Sequence, residues 1–85
     1  MAYSIQIEKS ALKQLSKLEK RIREKISSKI DDLADNPRPF GYKKLVDEGG
    51  TCRIKISGYR IIYDIFDDVL IVNVISIIKR NERTY

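Results

Sequence analysis

A chain of 85 residues has room for one small domain and must economise on core. Its ordinary apolar content excludes disorder throughout, and its formal charge of +5 favours an anionic partner: nucleic acid, a membrane surface or an acidic protein. With no histidine and a single cysteine, Cys52, it lacks the parts for imidazole catalysis, an intrachain disulfide, a thiolate cluster or a CxxC redox pair, and a reducing cytoplasm is the expected setting.

The opening residues alternate. Tyr3, Ile5 and Ile7 interleave with Ser4, Gln6 and Glu8, the period of a half-buried strand at a sheet edge, and no hydrophobic run of the kind a secretory signal needs is present. From Ser10, an expected N-cap, the period lengthens. Leu12, Leu15, Leu18, Ile22, Ile26, Ile30 and Leu33 recur three or four apart and trace one apolar helical stripe. A single helix of that length would overhang so small a core, so an antiparallel helical pair broken near residues 18–20 is expected. Asn36, Pro37, Pro39 and Gly41 end the helical region.

Strand patterns then resume. Residues 42–46 lead into a turn at residues 47–50, after which Cys52, Ile54 and Ile56 alternate with Thr51, Arg53, Lys55 and Ser57. Ser57 and Gly58 mark a tight connection or bulge. Residues 59–66 and 69–78, joined at Asp67 and Asp68, read as a hairpin whose last strand is apolar enough to be central and covered on both faces. That last run is about half the roughly 20 residues a membrane-spanning helix needs. The expected fold is α+β: one domain over residues 1–85, with an N-terminal strand, a two-helix hairpin and a mainly antiparallel sheet of about four strands.

Basic residues gather at the end of this pattern. Arg53 and Lys55 share one strand face, Arg60 follows on the next strand, and Lys79, Arg80, Arg83 and Tyr85 close the chain. Surface cations commonly serve solubility and discourage edge pairing. Converging on one face, however, they repel one another unless an anion is bound there, and such a face can grip a phosphodiester. Tyr85 can stack on a base or, with its pKa lowered by the cations, exchange a proton. The lysines and arginines of the helical region, among them Lys9, Lys13, Lys17, Arg21 and Lys29, read as a solvated face that could add affinity for phosphates. Asp31, Asp32 and Asp35 have no partner set for a metal, and Asp67 and Asp68 read as turn residues. No metal or cofactor is expected.

The segments spanning residues 52–63 and 69–80, together with the N-terminal strand, Ala11-Leu12-Lys13 and Lys44-Leu45, resemble toxins of the RelE/ParE superfamily of type II toxin–antitoxin systems, with the RelE branch nearer. The resemblance covers nearly the whole chain and rests on order and spacing rather than on one diagnostic motif. It implies the RelE-like microbial RNase fold and a ribosome-dependent mRNA endonuclease acting in the A site, an mRNA interferase that inhibits translation. The ribose 2′-oxygen would attack the adjacent phosphorus without a metal. It also implies a cognate antitoxin protein, with which the toxin would form a hetero-oligomer, and a site made of Arg53, Lys55, Arg60, Arg80 and Tyr85, with Lys79 and Arg83 binding substrate. Val46 departs from the pattern, since RelE-type members can carry Arg after the Lys-Leu pair. Two other readings stay open: a ParE-like noncatalytic inhibitor of DNA gyrase, and a plain nucleic-acid-binding domain.

Overall fold

In the computed structural model, which describes residues 2–45 and 51–79, two helices pack on one face of a five-stranded sheet. The elements run β1 (Ser4–Ile7), α1 (Lys9–Ser16), α2 (Lys20–Asp32), β2 (Lys43–Lys44), β3 (Thr51–Ile56), β4 (Tyr59–Phe66) and β5 (Ile71–Lys79). Strand order is β1-β5-β4-β3-β2. The last four strands form the expected antiparallel meander, and β1 joins it as a fifth, edge strand parallel to β5.

The helical pair breaks at residues 17–19. The Lys17 and Leu18 amides tighten onto the carbonyls of Gln14 and Leu15, and Arg23 Nη1 donates to the Leu18 carbonyl at 2.9 Å. The Leu18 carbonyl, in the link just past the end of α1, is thus satisfied by an arginine one turn into the next helix. Two details of the expected helix differ. Ala11, not Leu12, enters the core beside Leu15, and Leu12 stays 49% exposed. Ser10 is no cap: Glu8 holds that position, and the Ser10 hydroxyl lies 3.5 Å from the Ile75 carbonyl.

That contact belongs to a larger arrangement. β1 pairs with β5 only as far as Val74, so the following backbone of β5 has no strand on that side. Helix α1 takes the place of one: Gln14 Oε1 accepts the Ile77 amide at 2.9 Å. A buried backbone donor left open would cost about 1–3 kcal/mol.

Strand β5 also carries a bulge. Ile62 pairs with Ser76 but Tyr63 pairs with Val74, leaving Ile75 as an extra residue. Inward positions therefore switch from Val72 and Val74 to Ile77. This explains the near-continuous apolar run. The strand does lie inside the sheet, between β1 and β4, but its apolar residues occupy both parities because the strand changes phase, and the described helices cover one face only.

The core is formed by Ala11, Leu15, Ile26, Ile30 and Leu33 from the helical side against Cys52, Ile54, Ile61, Tyr63, Ile65, Val72, Val74 and Ile77 of the sheet. Tyr63 is fully buried and donates its hydroxyl to the Pro37 carbonyl at 2.7 Å, tying the loop after α2 to the sheet. At the far end of the β4–β5 hairpin, Asp67 accepts from Arg38 through both carboxylate oxygens, at 3.2 and 2.7 Å, and from the Tyr3 hydroxyl at 2.6 Å. Asp67 is thus more than a turn residue. Leu70, at a φ of 56°, ends the hairpin loop, so β5 starts at Ile71 rather than at residue 69.

Candidate nucleic-acid interface

The β3–β4 connection positions the site. Ser57 and Gly58 form a two-residue turn with φ of 52° and 83°, both positive as in a type I′ hairpin. A loop of this length fixes register: Ile56 pairs with Tyr59, Lys55 with Arg60, and Arg53 with Ile62. Cys52 and Ile54 point into the core, so alternation sends Arg53 and Lys55 to the opposite, helix-free face, and direct pairing puts Arg60 there with them. Three of the expected site residues thus share one surface.

Lys43 joins them. It pairs with Arg53 across the β2–β3 ladder and is exposed. Sequence reasoning missed it because the register of β2 depends on the length of the connection that follows, which composition does not fix. The face therefore presents two adjacent cationic pairs, Lys43 with Arg53 and Lys55 with Arg60. Ile62, across from Arg53 and beside Arg60 on β4, is only 8% exposed although it lies on the side away from the helices, and the long aliphatic stems of Arg53 and Arg60 can shade it. The nearest carboxylate on this face, Asp64, accepts a hydrogen bond from the Thr51 hydroxyl, its partner across the ladder.

Lys79 and Tyr59 go elsewhere. They pair with each other on the helix side of the sheet, where both line an open cleft with Gln14, Lys17, Leu18 and Ile77. The bulge at Ile75 accounts for this, since it reverses the facing of everything that follows in β5. Arg80, Arg83 and Tyr85, like Val46 and the turn at residues 47–50, lie outside the described residues.

A row of guanidinium and ammonium groups on a sheet face can hold a phosphodiester and oppose charge developing on it. Residues 5–84 match the family described as the ParE toxin of the type II toxin–antitoxin system parDE. The chain belongs to this toxin family. Individual relatives of the toxin carry the RelE name. It is 35% identical over 82 residues to the mRNA interferase toxin RelE of Escherichia coli K12, covering 94% of this chain and 85% of that protein. Its fold superposes on the E. coli RelBE toxin–antitoxin complex with a TM-score of 0.81 at 32% identity, covering 95% of this chain and 100% of the matched one. The archaeal RelE–RelB complex of Pyrococcus horikoshii gives a TM-score of 0.86 at 25% identity, covering 96% and 99%. The toxin is therefore of the RelE type within the family. None of its described helices is long and apolar enough to cross a membrane.

Proposed function

We propose that the toxin is an endoribonuclease that cuts ribosome-bound mRNA in the A site, and that a cognate antitoxin binds it as RelB binds RelE in the solved complexes. The observation that carries this reading is the meeting of Arg53, Lys55 and Arg60 on one sheet face, with Lys55 and Arg60 directly opposed. The relatives named mRNA interferase supply the reaction class.

The chemistry needs little beyond charge and position. The ribose 2′-oxygen attacks the neighbouring phosphorus as its proton passes to a base. The bond to the 5′-oxygen breaks, that oxygen takes up a proton, and a 2′,3′-cyclic phosphate and a 5′-hydroxyl remain. Because the nucleophile belongs to the substrate, no metal-bound water is required. Arg60 holds the phosphate and opposes its growing negative charge. Lys55, with Arg53, stabilises the nucleophilic oxygen or helps remove its proton. Arg80 is assigned to the leaving oxygen and Tyr85 to base stacking or proton transfer, both on the family resemblance. Lys79 and Arg83 are assigned to substrate binding on the same ground, although Lys79 occupies the helix side of the sheet.

The test is toeprinting on programmed ribosomes with purified toxin. Cleavage in the A site by the unaltered chain, lost in Arg60→Ala, is the expected result. Intact message together with blocked DNA supercoiling would instead place the toxin with gyrase inhibitors, a reading favoured only by the ParE description of its family.

A further inference from the structure

We propose that Lys43 extends the RNA-binding face by one strand, gripping a message phosphate beside the one assigned to Arg60 and so setting affinity rather than rate. This rests on the endoribonuclease reading. The register carries it: Lys43 is directly across from Arg53, so the two side chains share the face that also presents Lys55 and Arg60.

Position separates its role from theirs. Lys43 is two strands away from Arg60, at about 4.8 Å per strand, and two residues further along the sheet, at about 3.4 Å per residue, which places the two Cα atoms roughly 12 Å apart. Lys55 and Arg60 are immediate neighbours and can act on one phosphate; Lys43 stands at the outer end of the row. It is exposed on a two-residue edge strand, and no ion pair to it forms among the described residues. Lys43 and Arg53 are like charges held side by side across the β2–β3 ladder, and a phosphate of a single strand laid there relieves their repulsion. The bland account is that Lys43 only protects the sheet edge from pairing. In that case its removal would leave the salt dependence of RNA binding unchanged.

The measurement uses ribosomes programmed with a message carrying a 2′-deoxyribose at the cleavage position, so that binding is read without reaction. Unaltered toxin, Lys43→Ala and Lys44→Ala are titrated over a range of salt concentrations. Lys44 is the control: it is adjacent in sequence and equally charged, but it pairs with the inward-facing Cys52. The expected result is weaker binding by Lys43→Ala with a salt slope shallower by about 0.7, as for one lost contact to a single strand, and no change for Lys44→Ala. On a cleavable message, Lys43→Ala should raise KM and leave kcat unaltered. A slope matching the unaltered toxin, or an equal loss in Lys44→Ala, overturns the assignment. If the unaltered toxin binds but never cuts, the nuclease reading falls, while the salt slope still decides the contact made by Lys43.

Discussion

Lys55 faces Arg60 across the β3–β4 ladder, one rung from the turn. The two-residue turn makes Ile56 and Tyr59 the hydrogen-bonded closing pair, so Lys55 and Arg60 form the next, non-hydrogen-bonded pair, in which Cα atoms approach to about 4.5 Å. On the proposed reading, two cations held this close act together on one phosphate. Lys55→Ala and Arg60→Ala should each lower cleavage by two to three orders of magnitude, since one preorganised donor is worth roughly 3 to 4 kcal/mol. The double variant should lose much less than the product of the two, because the residues act on the same transition state. Single-turnover cleavage on programmed ribosomes measures all three; losses that multiply would show that the two residues act separately.

The turn that sets this pairing depends on Gly58. At a φ of 83° a Cβ is strained even though no atom stands within 4 Å of where it would lie. Gly58→Ala should therefore cost about 1 to 2 kcal/mol, all of it backbone strain. Urea denaturation would show a lowered midpoint with an unchanged slope. A changed slope would mean that the turn and its register had been remodelled instead.

Tyr63 is the buried link between the sheet and the loop after α2. Removing its hydroxyl in Tyr63→Phe leaves the buried Pro37 carbonyl without that donor, at a cost of about 1 to 3 kcal/mol. Burial, the largest cause, also raises the phenol above its ordinary pKa of about 10. Because the folded value is the higher one, the stabilisation is complete below pH 10 and is lost as pH rises from there towards the folded value. Phenolate absorbance from Tyr63 should appear only as the protein unfolds in alkali. Its appearance while circular dichroism still reports native structure would contradict the burial.

Asp67 gives the opposite dependence. Hydrogen bonds from Arg38, then from Tyr3, hold its carboxyl below the ordinary carboxylate range. Its contribution is present above the unfolded value of about 3.9 and is lost as pH falls through the lower folded one. Asp67→Asn should flatten the acid limb of the stability profile, and because the Asp67 bond also raises the Tyr3 phenol above its ordinary value, it should remove that part of the alkaline limb as well. Thermal melts across the acid range would test this; identical acid limbs would rule Asp67 out as a contributor.

Much of the fold was legible because its signals are local. The alternation of Arg53, Ile54, Lys55 and Ile56, followed by Ser57-Gly58, specifies the hairpin, and the bounds expected for the fourth strand, residues 59–66, are those observed. The helical break was readable from length alone, although the Arg23 bond that secures it was not. Non-local features stayed hidden. Nothing in residues 4–7 announces a parallel partner in β5, and nothing in Lys43 announces Arg53 as its neighbour. Of the expected site, the Arg53, Lys55 and Arg60 grouping follows from alternation plus one tight turn. Lys79 did not join it because facing in β5 depends on a bulge that a run of uniformly apolar residues conceals.

That single unpaired residue, Ile75, assigns side chains to layers. Were Ile75 taken into the ladder with no bulge, strict alternation from Val74 would carry Lys79 over to the cationic surface and turn Ser76 and Ile78 towards the helices. Which side of the sheet Lys79 occupies is thus decided by counting: deleting Ile75 would leave every later residue on its present face, whereas absorbing it into the ladder would redistribute charge between the two sides of the molecule more thoroughly than any single substitution in β5.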